Sequence, residues 1–285
     1  MEYFQLNNGV RVPAVGSGTN TFGRDNGDLK SPPTGNFTAM ESAILAGYRF
    51  FDSAISYGNE EGIGDCLKNS GISRNEFTIL SKIPNRAPYN STPKSIRQSV
   101  EDSLKRMKTD YFDLYTIHQA VDYNSPDGKM NKEVTIALYK ELEALYREGK
   151  FKALGVANFD REQLEILMEN TEIVPACDQL RSNPANRNME TVEFCRSSGI
   201  LPIAHSPMNF TRKAFQVDEE AAGRFKAVAA RIGEKYGKSW AQVLLRYNYQ
   251  MGICSIPKSH SVTSQRQNLE IFDFALDEEE VNRLF

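Results

Sequence analysis

A parallel (β/α)8 barrel is the fold class this sequence predicts, and three observations predict it. Eight short apolar runs alternate with stretches of helical periodicity, the order that parallel strands require because each crossover must return the chain to the same edge. The 285 residues, 40% of them hydrophobic and 25% charged, can bury one large core. Length and composition alone would also suit two smaller domains. No linker-like break, low-complexity segment or short repeat interrupts the alternation, however, so residues 1–285 read as a single domain.

The chain opens with Tyr3-Phe4-Gln5-Leu6, Asn7-Asn8-Gly9 and Val10-Arg11-Val12-Pro13, a hairpin pattern turned by Asn-Gly, which tolerates positive φ. Ala14 to Gly18 is the first barrel strand, and Thr19 follows it. Glycine there fits either close backbone approach to a ligand or ordinary turn geometry. From Thr21 to Asn36 the chain is rich in Gly, Asp and Pro and is expected to be a loop outside the core. Thr38 to Ala46 reads as a helix closed by Gly47, leading to the strand Arg49 to Asp52. The series continues as helix 60–69, strand 78–82, helix 92–107, strand 112–118, helix 132–148 and strand 152–157. Next come helix 161–170, strand 176–180, helix 190–198 and strand 201–205. Helices 221–236 and 239–250 precede the last strand, 252–257. The one tryptophan, Trp240, reads as packing, and Glu278-Glu279-Glu280 as a solvated helix face.

A net charge of −3 lacks the basic face that a nucleic-acid or anionic-membrane partner needs. The four cysteines show neither a CxxC pair nor metal spacing, which suits a reducing compartment. No signal-like start and no apolar run of membrane-spanning length is present, so a cytoplasmic protein is expected. Nothing resembles a heptad, and a monomer is the default.

Three strand ends carry chemistry. Arg49-Phe50-Phe51-Asp52 ends on a carboxylate, with Tyr57 five residues on; Thr78-Ile79-Leu80-Ser81-Lys82 ends on a lysine; Phe112 to Ile117 leads to His118. In a parallel barrel these ends share one face, the face that holds the chemistry. A lone lysine after a strand is ordinarily solvated, and a lone histidine is ordinarily structural. Four complementary groups at successive strand ends point instead to a site. A phenol with a pKa of about 10 is a poor proton donor near neutrality unless a cation favours its ionised form. Lys82 would supply that cation, and Asp52 would hold it in place.

Phe-Asp-Ser-Ala-x-x-Tyr-x-Asn-Glu at 51–60, the strand-end Lys82 and Asp-Leu-Tyr-x-Ile-His at 113–118 resemble the aldo-keto reductases, with further matches as far as Phe274. The resemblance implies an NAD(P)H-dependent carbonyl reductase on a (β/α)8 TIM barrel whose floor is capped by the N-terminal hairpin. It gives Tyr57 the role of proton donor, Lys82 and Asp52 those of its supports, and His118 that of orienting the substrate carbonyl.

The resemblance also implies a cofactor site beginning at Gly18 and Thr19. Gly155-Val156-Ala157-Asn158-Phe159 and Asp178-Gln179 are similar to the family's Gly-Val-Ser-Asn-Phe and Asn-Gln, which assigns the nicotinamide carboxamide to Asn158 and Gln179. Ala157 stands where serine is usual. His205-Ser206-Pro207 takes the place of Tyr-Ser-Pro, so an imidazole would stack on the nicotinamide with less area than a phenol. Ile256-Pro257-Lys258-Ser259 and Asn268 match the adenosine end, where Lys258 and Ser259 would meet a ribose phosphate. The usual arginine four residues before Asn268 is Ser264, with Arg266 two positions on. NADPH is the expected cofactor, with NADH use possible.

Asn20 and Gln119 replace aromatic residues common at these substrate positions, which implies a more polar pocket. The chain also ends at Phe285, soon after Phe274, without the tail that often closes the family's cleft. An open site for a hydroxylated aldehyde, keto-sugar or keto acid is expected. One rival reading is a barrel metal hydrolase or sugar isomerase, since two of the three histidines end strands, although no His-x-His pair exists. The other is a nucleotide-sensing binding subunit with little turnover, favoured by the replacements at Asn20, Gln119, Ala157 and His205 and opposed by the complete set Asp52, Tyr57, Lys82 and His118.

Overall fold

The computed structural model describes residues 1–25, 31–122, 124–183, 188–208 and 219–284. Eight parallel strands follow one another around a barrel: β3 (Ser17–Gly18), β4 (Phe50–Asp52), β5 (Thr78–Ile83), β6 (Phe112–Ile117), β7 (Phe151–Ala157), β8 (Cys177–Arg181), β9 (Leu201–His205) and β10 (Cys254–Ile256). Each pairs with its sequence neighbour, for example Phe51 with Ile79 and Leu80 with Leu114. The ring closes where Val15 bridges Ser255 and where Gly18 N–H donates to the Pro257 carbonyl at 3.1 Å.

Helices cross outside the strands: α1 (Thr38–Ala46), α2 (Glu60–Asn69), α3 (Pro93–Met107), α4 (Lys132–Arg147), α5 (Arg161–Asn170), α6 (Met189–Ser197), α7 (Glu219–Tyr236), α8 (Trp240–Gln250), α9 (Val262–Leu269) and α10 (Glu278–Arg283). Their starts are encoded locally. Thr92 and Ser95 cap α3 reciprocally ahead of Pro93, Asp160 and Gln163 do so for α5, and Ser239 and Gln242 for α8.

Two apolar layers result from the two-residue period of the strands. Phe50, Leu80, Leu114, Ala153, Cys177, Ile203 and Cys254 fill the barrel interior, while Phe51, Ile79, Tyr115 and Leu154 face the helices. Gly155 keeps β7 close to β8, since a Cβ there would lie 2.6 Å from Cys177 Sγ. The predicted hairpin, β1 (Tyr3–Gln5) with β2 (Arg11–Pro13), closes the floor by adding Leu6 and Val12 to the interior layer. It turns at Asn8-Gly9, as expected. Gly9 N–H bonds to the Leu6 carbonyl and Gly9 alone adopts positive φ (+87°), so Asn8 stays right-handed and Gly9 forms the bulge.

Two expectations need correction. The polar stretch after Thr21 is not wholly outside the core: Phe22 is completely buried in the main apolar cluster, with its ring edge-on to His260 at 5.4 Å between centroids, and Arg24 is 7% exposed. Residues 26–30 of that stretch lie outside the described ones. Nor is Glu278-Glu279-Glu280 a solvated face throughout. Glu280 is 6% exposed, accepting from Lys235 at 2.9 Å and Tyr236 at 2.7 Å, because α10 docks on α7. Trp240 packs beside the α7–α8 apolar cluster, with Lys226 Nζ 5.0 Å from its ring centroid.

Candidate active site

The parity that sends Phe50 and Leu80 into the barrel also sends the side chains two positions later into it, at the carboxyl end. Phe50 is thus followed by Asp52, Leu80 by Lys82, Leu114 by Thr116 and then His118, Cys177 by Gln179, and Ile203 by His205. Lys82 is 0% exposed, which removes the solvated reading. Its ammonium donates to Asp52 Oδ1 at 2.5 Å, to the Ser53 carbonyl at 2.8 Å and to the Tyr57 hydroxyl at 3.3 Å. Burial pulls the Lys82 pKa down from its ordinary value, and the Asp52 carboxylate opposes that pull.

Tyr57 ends a single 3-10 turn, Ile55–Tyr57, placed directly after β4. Its ring meets His118 edge-on, with centroids 5.7 Å apart and planes at 82°. Burial, followed by the charge of Lys82, holds the His118 pKa down at about 3. Near neutrality this histidine is therefore an uncharged imidazole, a donor that adds no charge to the site. The arrangement sets a phenol between a cation and a neutral hydrogen-bond donor, at a face where a carbonyl oxygen could meet both.

Three side chains that sequence reasoning left without a role hold this geometry. Arg24 donates to the carbonyls of Tyr57 (2.8 Å), Ser31 (2.8 Å) and Asn20 (3.2 Å). Asn59 Nδ2 donates to the carbonyls of Thr19 (2.7 Å) and Phe22 (3.1 Å), while Thr19 Oγ1 donates to the Asp52 carbonyl at 2.8 Å. Glu60 is 1% exposed, with Oε1 accepting from Ser81 (2.7 Å) and Ser103 (2.5 Å) and Oε2 from Arg106 Nη2 (2.7 Å). The Asn-Glu following Tyr57 in the motif was the available signal for two of these three; Arg24 carried none.

Asn158 leaves β7 at φ +57° and joins two strand ends. Its Nδ2 donates to the His118 carbonyl at 2.9 Å, so its Oδ1 is the acceptor for His205 Nε2 at 2.9 Å. Burial and the Lys82 charge hold the His205 pKa at about 3 as well. Gln179 is buried beside them and gives its Nε2 to Asp52 Oδ1 at 2.6 Å, a bond the sequence did not announce. Ser206 takes φ +54° with its Oγ 3.5 Å from His205 Nδ1, and Pro207 is buried.

Beyond β10, Lys258 and Ser259 are half-buried, and Ser259 Oγ accepts from Ser261 N–H at 3.0 Å at the start of α9. Asn268 is 3% exposed and lies close to the Tyr48 hydroxyl, whereas Arg266 is exposed. Asn20 and Gln119 stand on the loops after β3 and β6. Asn20 Oδ1 and Gln119 Oε1 are buried without a hydrogen-bond partner among the described residues. Among those residues no group of three or more His, Cys, Asp or Glu side chains could hold a metal ion, and no helix is long and apolar enough to cross a membrane.

Asp178, next to Gln179, is the anomaly of the region. It is completely buried, its carboxyl group has no close hydrogen bond and meets only the backbone N–H of Phe159 loosely, and burial outweighs that contact to push its pKa well above the carboxylate range.

Comparison with known proteins agrees with the geometry. The model of the aldo/keto reductase family matches residues 14–284. The glyoxal reductase of Bacillus subtilis (strain 168) is 35% identical over 280 residues, covering 98% of this chain and 90% of that protein. Morphine 6-dehydrogenase of Pseudomonas putida is 32% identical over 283 residues, covering 98% and 88%. The crystal structure of a Bombyx mori aldo-keto reductase in complex with NADP superposes with a TM-score of 0.84 at 30% identity, covering 99% of this chain and 91% of that one.

Proposed function

Since this chain belongs to the aldo/keto reductase family, we propose that it reduces an aldehyde or ketone to an alcohol with NADPH, acting as a single barrel domain on a polar carbonyl compound. The observation that carries this reading is the fully buried Lys82 ammonium, 2.5 Å from Asp52 Oδ1 and 3.3 Å from the Tyr57 hydroxyl. A purely structural ion pair does not need a phenol held at its open side.

The donor set fits a nicotinamide dinucleotide. The amides of Asn158 and Gln179 and the imidazole of His205 cluster at the ends of β7, β8 and β9, where they would hold the nicotinamide. Lys258 and Ser259 precede the N-terminus of α9, where backbone N–H groups favour a phosphate. Gly18 and Thr19 would line the same groove, with Ser206, Pro207 and Asn268 completing it. When bound, such a cofactor would supply the hydride that reduces the carbonyl carbon.

The chain's own residues manage the proton. As charge grows on the carbonyl oxygen, Tyr57 transfers its hydroxyl proton there, and the alcohol is complete. The resulting phenolate is stabilised by Lys82, and Asp52 keeps that ammonium fixed. His118, neutral, donates a hydrogen bond that orients the carbonyl. Asn20 and Gln119 favour a substrate carrying hydroxyl groups, because buried amide oxygens without partners can accept from a hydroxyl and reject an apolar group.

A calorimetric titration with NADPH and, in parallel, NADH tests the cofactor assignment. NADPH should bind more tightly by at least about 1.4 kcal/mol, a tenfold preference, which Lys258→Ala should erase. Comparable binding of the two would move the cofactor to either nucleotide; binding of neither would defeat the reductase reading.

A further inference from the structure

We propose that Arg86 is a substrate-recognition residue that takes a carboxylate on the compound being reduced; this rests on the carbonyl-reduction reading above and narrows its substrate class to carboxylate-bearing aldehydes and ketones. Arg86 lies four residues beyond Lys82, on the loop leaving β5 at the mouth of the barrel. That loop is tied to the loop carrying His118 and Gln119 at two points. His118 N–H donates to the Ile83 carbonyl at 2.9 Å, and Asn85 Nδ2 donates to the Ala120 carbonyl at 2.9 Å and to Thr135 Oγ1 at 2.9 Å. Asn90 closes the other side, its Nδ2 donating to Asn85 Oδ1 at 3.0 Å and its backbone N–H to the Arg86 carbonyl at 3.3 Å. Arg86 is thereby presented beside the site from a well-anchored turn.

Its side chain is half-buried and makes no hydrogen bond or ion pair with any described residue. The contrast with nearby cations is informative. Lys82 is matched by Asp52, and Arg24 is spent on three carbonyls. A partly desolvated guanidinium with five donors and no acceptor has a vacant complement, and a planar carboxylate fills it bidentately. Gln119, on the loop tied to this one, is itself buried with an amide oxygen that has no hydrogen-bond partner among the described residues. The charge of Arg86 reaches the catalytic centre, since it is among the cations that depress the His118 pKa.

The cofactor's phosphates are the alternative anion, and the strand order argues against them. Lys258 and Ser259 follow β10, whereas Arg86 follows β5; β4 and β3 intervene on one side of the ring and four strands on the other. Arg86 and Gln119 instead share the β5–β6 sector with Lys82 and His118.

The test is steady-state reduction by the intact enzyme with NADPH of glyoxylate, 2-oxobutanoate and succinic semialdehyde, each beside its methyl ester. At least one acid should be preferred over its ester in kcat/KM by about tenfold or more, the share expected of one charge-assisted pair. Arg86→Gln should abolish that preference by raising KM for the acid, leaving the ester's kcat and the melting temperature unchanged. Arg86→Lys should restore part of it. Ester and acid used equally well, or an acid preference that survives Arg86→Gln, would overturn the assignment of Arg86 while sparing the reductase. Turnover of no compound in either set would defeat both.

Discussion

Replacing Tyr57 by phenylalanine separates the chemistry from the fold. The ring contacts should persist, because the edge-on meeting with His118 at 5.7 Å and the Lys82 ammonium 5.0 Å from the ring centroid involve no hydroxyl. What is lost is an oxygen 3.3 Å from Lys82 Nζ, a long hydrogen bond on a half-buried side chain, so stability should change by no more than about 1 kcal/mol. The same oxygen is the proposed proton source for the alcohol. Removing a positioned general acid should slow turnover by about 10²–10⁴-fold. NADPH oxidation in the presence of an aldehyde reads the rate, calorimetric titration reads cofactor affinity, and thermal unfolding reads stability. Turnover within about tenfold of the unsubstituted enzyme, with binding and stability intact, would refute Tyr57 as the donor.

Other substitutions probe the buried electrostatics. Asp52→Asn leaves the Lys82 ammonium buried with only neutral partners, and should cost about 3–5 kcal/mol, lowering the melting temperature by about 5–8 °C in a chain of 285 residues; an unchanged melt would show that the pair is not ionised as described. Asp178→Asn should stabilise. The folded pKa of Asp178 is raised, so the unfolded chain sheds a proton that the folded one keeps, and stability is lost as pH rises above about 4. The variant's advantage should therefore widen between pH 4 and 7, to at least about 1 kcal/mol; an advantage independent of pH would contradict a buried neutral acid. His118 and His205 run the other way. Their folded pKa values near 3 lie below the unfolded value of about 6.5, so their contribution is complete above that value and declines as pH falls toward 3. Each adds roughly 1.4 kcal/mol per pH unit to the slope, and His205→Asn should remove one share below pH 6; an unaltered slope would show that His205 is not held neutral.

Much of this architecture is legible in the sequence because barrel strands and amphipathic helices write their period into it. The helices at 38–46, 60–69 and 161–170 fall where periodicity and end signals place them. Helix α9 escaped notice for a physical reason: Val-Thr-Ser-Gln-Arg-Gln-Asn-Leu buries polar Gln265 and Asn268, so no apolar stripe marks it. Phe22 shows the same limit in reverse, a core residue inside a stretch whose composition reads as loop. In the site, Asp52, Lys82 and His118 were visible because strand ends are fixed by apolar runs. The bond of Gln179 to Asp52 spans 127 residues, and the grip of Arg24 on the Tyr57 carbonyl spans 33. Such partners depend on tertiary closure, which no local pattern encodes. Asp178 was seen only as half of an Asn-Gln-like pair, and the cost of its carboxyl becomes apparent once its surroundings are known.

The most direct test of the central claim is isotope transfer. The purified protein should be incubated with succinic semialdehyde and NADPH carrying deuterium on the transferable nicotinamide carbon, and the alcohol examined by mass spectrometry. The account predicts one deuterium bound to the former carbonyl carbon, formed by the intact enzyme at least about 10²-fold faster than by Tyr57→Phe. An alcohol without deuterium, or equal formation by both proteins, would contradict hydride transfer completed by the Tyr57 proton.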